Sequence, residues 1–358
     1  MHVAAIPLNS WRANNGPIPA TTQREILMNT SKPIALVIGF TGGIGGATAR
    51  ALAARGFHIR ALTRRPQRAQ PGVEWILGDA MNAADVLAAA RGAAVIVHGA
   101  NPPGYRNWRG LALPMLANTI AAAKQVQATI VFPGTVYNYG PDAFPVLRED
   151  SVQRPLTRKG AIRVEMEQML RQASCEGGRV IIVRAGDFFG PGAGNSWFSQ
   201  ILVKPGKLVT RVPYPGARGV GHAWAYLPDI ADAIARLVMR REEFAPFETF
   251  HFAGHRLARG EEMAEAICDV AELPYSRIGS VPWWVFRAMS PFVTLFREVL
   301  EMNYLWQREV LLDNSKLVAV LGSEPHTDLR DAVQDTLEAM GCLPPGNGVR
   351  PRFLENGA

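Results

Sequence analysis

Three glycines spaced three residues apart, Gly39, Gly42 and Gly45, close an apolar run that begins at Ala35. Glycine permits positive φ and lets the backbone approach a phosphate, while the free N–H groups at a helix start face that anion. Gly39, Phe40, Thr41, Gly42, Gly43, Ile44 and Gly45 are therefore candidates to hold a pyrophosphate. A bare glycine spacing also suits a structural turn. The strand character before it and the alanine-rich segment after it favour the opening of a dinucleotide-binding βαβ unit.

Further candidates stand at the ends of later apolar runs. Arg64 and Arg65 occupy the place where an acid would hold the ribose hydroxyls of NAD. Two guanidinium groups suit a 2′-phosphate and can stack on adenine, so NADP is favoured over NAD; surface charge is the competing reading. In Gly78-Asp79-Ala80, Asp79 and Ala80 are placed to meet the adenine amino group, although Asp79 could instead cap a helix that Asn82 is better placed to cap. His98-Gly99-Ala100-Asn101 follows the fourth run. Gly99, Ala100 and Asn101 permit close approach to a cofactor, and His98 offers a base or a packed ring.

The positioning elements follow from hydrophobic period. Strand-like runs Ile34–Ile38, Phe57–Leu62, Val73–Leu77, Ala94–His98, Thr129–Phe132 and Val180–Arg184 alternate with helical segments Thr48–Arg55, Asn82–Arg91 and Leu111–Gln125. This alternation predicts an α/β fold: a doubly wound parallel sheet of the Rossmann type covered by helices on both faces. Beyond Gly190 the texture turns to Gly, Pro and aromatics. Helices Asp229–Arg240 and Arg259–Val270, a strand Phe247–Phe252, an aromatic helical region 281–306 and a last helix Leu329–Met340 follow. The expected division is a flexible N-terminal extension (1–30), a dinucleotide-binding domain (31–190, joined by 222–255), and a smaller, mostly helical substrate region (191–221 and 256–358).

Composition narrows the setting. The 358 residues carry a net charge of +7 with 48% hydrophobic content, and basic residues are scattered without a tract. That argues against nucleic-acid binding and is compatible with an anionic ligand. Cys175, Cys268 and Cys342 are far apart and odd in number, which suggests reduced thiols in the cytoplasm and no zinc or other metal site. No apolar run is long enough to span a bilayer. Residues 1–30 lack both an apolar core and an Arg-rich helix, so they read as a flexible arm, or as an over-extended start with Met28 as the beginning.

Several ordered segments resemble the short-chain dehydrogenase/reductase superfamily, in its extended or atypical, epimerase-like branch. Gly39 to Gly45 is similar to its GxxGxxG. Pro133-Gly134-Thr135-Val136-Tyr137-Asn138-Tyr139-Gly140 resembles its SSxxVYG segment. Arg184-Ala185-Gly186-Asp187-Phe188-Phe189-Gly190-Pro191 resembles its RxxNVYGP segment, and Tyr226 to Ala231 its V-x-D-V-A helix start. The resemblance implies that Pro133, Gly134, Lys159, Ala185, Gly186, Asp187 and Phe188 also line the cofactor.

The departure falls on the catalytic pair. Family members use Tyr-x-x-x-Lys on one helix face, the tyrosine exchanging a proton and the lysine assisting it. Aligning on Glu167-Gln168-Met169-Leu170 puts Lys159 at the tyrosine and Arg163 at the lysine. Thr135 keeps the family's hydroxyl. Arg163 stays protonated, so it can hold a ribose but cannot shuttle a proton. Lys159 would serve as an acid if desolvation and Arg163 brought its pKa towards neutrality. Tyr137 could supply a phenol from another direction.

For the substrate the candidates are Asn101, Tyr105, Trp108, Thr135, Tyr137, Phe189, Asn195, Trp197, His222 and Trp224, a set suiting a small sugar-like or planar molecule. Two functions stay open. One is an NADP-dependent epimerase or reductase that transfers hydride at a carbonyl or secondary alcohol. The other is a non-catalytic, cofactor-binding redox sensor or assembly factor. Dimerisation through two helices is the family's habit, and Leu111–Gln125 and Lys159–Gln172 would form such a homodimer.

Overall fold

The computed structural model describes residues 32–102, 107–194, 196–290, 292 and 300–344. The N-terminal segment 1–30, Tyr105 and Asn195 lie outside them. The described residues from Pro33 onward form one compact unit.

Its first two thirds run β1 (Ile34–Ile38), α1 (Gly43–Ala54), β2 (His58–Thr63), β3 (Val73–Leu77), α2 (Ala83–Ala90), β4 (Ala93–His98), α3 (Trp108–Val126), β5 (Thr129–Pro133), α4 (Arg158–Cys175), β6 (Arg179–Ala185), α5 (Leu227–Met239) and β7 (Phe247–Phe252). The seven strands form one sheet in the order β7-β6-β5-β4-β1-β2-β3, every pair parallel. The expected doubly wound fold is present.

Alternation along each strand decides the layering. Ala35 and Val37 of β1 pack with Leu52 of α1 and with Ile230 and Ile234 of α5 on one face. Leu36 and Ile38 pack with Val86 of α2, Leu116 of α3 and Met166 of α4 on the other. Both faces being covered, the strands read as continuous apolar runs. The order in which connections add strands reverses between the parallel neighbours β1 and β4, and that switch point opens a crevice at their C-terminal ends.

Strand limits agree with the sequence expectation to within a residue. The first helix does not: it starts at Gly43 rather than Thr48. Gly43, Ile44, Gly45 and Gly46 have a composition of low helix propensity, which hides the first turn from periodicity.

Beyond β6 a three-stranded sheet joins Asp187–Phe189, His222–Tyr226 and His255–Leu257. Segment 190–222 also contains a π-helical turn (Phe198–Leu202) and a short strand (Val212–Tyr214). Helices Glu262–Val270 and Leu329–Ala339 pack on this region around Phe198, Trp224, Met263, Trp306 and Leu337. Asp328 caps the last helix, accepting from Arg330 N at 2.9 Å, and Gly341 ends it at φ 64°. Among the described residues, no helix is long and apolar enough to cross a membrane.

Candidate functional site

The crevice is built on glycine. Gly39 holds φ +92°, and a Cβ there would lie 2.6 Å from Ala100 N and from Gly99 C. A Cβ on Gly45 would lie 2.3 Å from Gly39 O, so helix and strand approach closer than a side chain allows. Gly42 caps α1 without a side-chain hydrogen bond, and the first turn carries no acid. The leading N–H groups of α1 therefore point positive charge into the crevice. These observations fit a dinucleotide pyrophosphate. Thr41 and Gly42 are exposed beside it, Gly43 and Ile44 are half-buried, and Phe40 packs edge-on against Trp75 with ring centres 4.8 Å apart.

Arg64 and Arg65 are exposed past the end of β2. Arg65 N donates to Thr63 Oγ1 at 3.3 Å, and Thr63 Oγ1 donates to Arg65 O at 2.9 Å. Arg60 is committed elsewhere, to Glu74 and to the carbonyls of Ala89 and Arg91. Asp79 Oδ1 accepts from Met81 N at 3.0 Å, and Ala80 O accepts from Asn118. Asn82 caps α2 through Ala84 N; Asp79, Gly99 and Ala100 are half-buried, and Asn101 is exposed.

The expected reaction centre comes together at the N-terminus of α4. Thr135 caps the turn Val136–Asn138, its Oγ1 accepting from Tyr137 N at 3.4 Å, which leaves the hydroxyl hydrogen to donate. Thr157 caps α4 by accepting from Gly160 N at 3.0 Å. Gly160 lets the two turns touch, since a Cβ there would lie 2.2 Å from Tyr137 O. Lys159 is thereby buried beside the turn carrying Thr135 and half-buried Tyr137. One helical turn on, the Arg163 guanidinium lies 5.4 Å from the ring centres of both Trp108 and Phe132.

His98 is a packed ring. Its Nδ1 meets Thr119 Oγ1 at 2.8 Å, and burial, then the Arg163 charge, push its pKa down to about 3. It stays neutral and enclosed, which removes the argument for a base.

Two groupings escaped sequence reasoning. Arg184, at the end of β6, pairs two-pronged with Glu167 of α4 at 3.0 and 2.6 Å, and its Nη1 donates to Tyr139 Oη at 2.6 Å. His251 Nδ1 faces Leu147 O at 3.2 Å, and its Nε2 meets Arg184 Nη1 at 3.2 Å. The imidazole therefore donates at Nδ1 and accepts at Nε2. Burial pushes Tyr139 up to about 12 against the opposing Arg184 charge, and burial together with that charge pushes His251 down to about 3. Arg184 and Glu167 were visible only as motif letters, and nothing marked His251. The second grouping joins Asp187 Oδ2 to His222 Nε2 at 2.8 Å.

The aromatic substrate candidates divide. Pro133 and Gly134 are buried at the end of β5, while Gly186, Asp187 and Phe188 are half-buried after the buried Ala185. Phe189 is fully enclosed among Phe198, Trp224, Tyr226 and His255. Trp197 packs on Trp306. Both expectations of substrate contact are corrected: these rings fill the core, because the small sheet needs an apolar filling. Among the described residues, no cluster of His, Cys, Asp or Glu is arranged to hold a metal.

A doubly wound sheet with a glycine cradle at its reversal point defines a dinucleotide-fold protein. More specifically, residues 35–252, more than half the chain, match the model of the NAD dependent epimerase/dehydratase family, and the chain belongs to that family. The resemblance to extended short-chain dehydrogenases is correct. A 3-diazoavenalumate denitrifying reductase of a Streptomyces species is 30% identical over 206 residues, 52% of this chain and 66% of that protein. An uncharacterised oxidoreductase of Mycobacterium tuberculosis is 54% identical over 41 residues, 16% of its length. The chain thus spans less than two thirds of either relative. Among solved structures, MoeE5 in complex with UDP-glucose and NAD superposes with TM-score 0.68 at 18% identity, covering 86% of this chain and 98% of that one. The dTDP-glucose 4,6-dehydratase DesIV of Streptomyces venezuelae, with NAD and TYD bound, gives 0.67 at 19%, covering 86% and 96%. These likenesses carry the fold.

Proposed function

We propose that the chain is an NADP-dependent enzyme, a reductase or epimerase acting by hydride transfer at a carbonyl or secondary alcohol of a small substrate. The observation that supports this reading is the contact of the Thr135–Tyr137 turn with the first turn of α4 at Gly160, the residue next to the buried Lys159. The relative described as a denitrifying reductase favours net reduction over epimerisation. A nicotinamide dinucleotide, when bound, supplies or takes up the hydride.

The chain's own groups do the rest. The leading amides of α1 with Gly39 to Gly45 hold the pyrophosphate, and Arg64 and Arg65 hold the 2′-phosphate. Asp79, Ala80, Gly99, Ala100, Asn101, Pro133, Gly134 and Ala185 to Phe188 line the remaining length of the crevice. Thr135 donates a hydrogen bond to the substrate oxygen. The Lys159 ammonium releases a proton to that oxygen as negative charge develops on it, and recovers one from solvent. Arg163 keeps its charge and holds the ribose. Tyr137 completes the substrate side. A homodimer through α3 and α4 belongs to the same proposal.

A second reading, a non-catalytic cofactor-binding sensor, is favoured by the replacement of the phenol by Lys159. Purification with identification of any bound nucleotide, followed by titration with NADPH and NADH, tests the cofactor assignment. Preference for NADPH lost in Arg64→Ala is expected. Equal affinity for both cofactors, unaltered in Arg64→Ala, removes the 2′-phosphate role.

A further inference from the structure

A short segment of the second region reaches both turns of the expected reaction centre. Glu301 Oε1 accepts from Arg158 N, the leading amide of α4. Three residues on, Tyr304 Oη donates at 3.1 Å to the carbonyl oxygen of Tyr139, which ends the turn that Thr135 begins. These two turns are the ones that touch at Gly160, where a Cβ would lie 2.2 Å from Tyr137 O. The segment itself is well anchored. Met302, Leu305 and Trp306 are buried, and Trp306 lies flat on the His222 imidazole, ring centres 4.0 Å apart and planes 13° from parallel. Tyr304 stacks on Phe144 with planes 5° apart.

The chemistry of both contacts suits holding. A helix start presents amides without intrahelical partners, and a carboxylate there accepts one of them and complements the positive end of the dipole. Thr157 takes Gly160 N, and Glu301 takes Arg158 N, so the first turn of α4 is gripped from two sides. Burial, then the Glu301 charge, pushes the Tyr304 phenol up to about 12, so it keeps its proton and stays a donor at neutral pH. Tyr139 is thereby held at both ends, its carbonyl by Tyr304 and its Oη by Arg184 Nη1 at 2.6 Å.

We infer that Glu301 and Tyr304 are positioning residues, and that the segment between them clamps the start of α4 to the Thr135 turn. The second region of the chain then sets the register in which the helix turn bearing Lys159 meets the turn bearing Thr135. This role rests on the enzyme reading above, since neither residue is assigned a contact with substrate or cofactor. Because closely packed segments move as units, releasing one contact loosens both turns and not only the one it touches. Misplacement of reacting groups by about 1 Å costs on the order of 100-fold in rate, so a clamp of this kind acts on turnover without touching the reactants.

The test is hydrogen–deuterium exchange of the full chain, read over segments 135–139 and 157–161, in Tyr304→Phe and Glu301→Ala. Each variant removes one contact, and each is expected to speed exchange at least ~tenfold in both segments. Glu301→Gln, which keeps an oxygen for Arg158 N, is expected to restore the slower exchange. Tyr304→Phe keeps its ring on Phe144 and decides the matter should Glu301→Ala fold poorly. Faster exchange confined to the turn each residue touches, or no change in either, overturns the inference. Kinetics separate positioning from general loosening. On a carbonyl compound that the unaltered chain reduces with NADPH, kcat is expected to fall at least ~tenfold in Tyr304→Phe and Glu301→Ala and to recover in Glu301→Gln. KM and NADPH affinity are expected to stay within ~twofold, and a parallel fall in NADPH affinity overturns the positioning role. Coupled exchange in a chain without turnover upholds the clamp and removes the enzyme reading, whereas turnover indifferent to both variants does the reverse.

Discussion

Arg184 and Glu167 meet through two hydrogen bonds, of 3.0 and 2.6 Å, with both side chains almost wholly enclosed. The pair ties the end of β6 to the helix bearing Lys159 and Arg163, and Tyr139 extends the tie to the turn after Thr135. Removing one partner leaves a buried charge without compensation. Glu167→Ala is expected to lower unfolding free energy by about 3–5 kcal/mol, and Glu167→Gln by less. Urea unfolding checks this; a loss below about 1 kcal/mol in Glu167→Ala contradicts it.

The approach of α4 to the Thr135 turn depends on Gly160. Alanine there would set a methyl 2.2 Å from Tyr137 O and 2.6 Å from Pro155 Cβ. Overpacking of this kind costs roughly 1–3 kcal/mol and outweighs the better helix propensity of alanine. Gly160→Ala is therefore expected to lower the melting temperature and to shift the first turn of α4 away from the Thr135–Tyr137 turn, which turnover reads separately. An unchanged melting temperature argues against the contact.

Gly45→Ala tests the cradle. Its methyl would meet Gly39 O at 2.3 Å and push α1 away from β1. NADPH affinity is expected to fall by at least ~tenfold, a change of about 1.4 kcal/mol. Fluorescence titration measures it, with circular dichroism confirming that the helices persist.

Acid should destabilise the chain. The pKa values of His98 and His251 are lowered from 6.5 to about 3 and that of His255 to about 4, burial being the first cause in each. Each is neutral in the fold, whereas the unfolded chain takes up the proton near 6.5. Their contribution is complete above pH 6.5 and is lost as pH falls towards the folded values. Burial raises Asp229 and Glu324, which act in the opposite sense. Melting temperature is expected to drop between pH 6.5 and 4, and to drop less steeply in His255→Gln. An equally steep fall in that variant removes His255 from the account.

The sheet was legible because its strands are buried on both faces and separated by glycine, and the crevice because three glycines followed a strand. Thr135 and Lys159 were legible by resemblance to a family pattern, and the contact of the Thr135–Tyr137 turn with α4 was not, since Gly160 gives no periodic signal. Phe189 and Trp197 misled for the opposite reason. An aromatic near a motif reads alike whether it lines a cleft or fills a core, and only the position of the small sheet separates the two. Asp187 and His222 stand 35 residues apart and meet because their strands pair in parallel, a register that local sequence does not encode.

The most direct test of the central claim is steady-state NADPH oxidation by the purified chain against a panel of carbonyl compounds, comparing the unaltered chain with Thr135→Ala and Lys159→Ala. Turnover by the former, reduced at least ~100-fold in both variants while NADPH affinity stays within a few-fold, is the predicted result. Tight NADPH binding with no turnover on any member of the panel would contradict it and leave a cofactor-binding sensor.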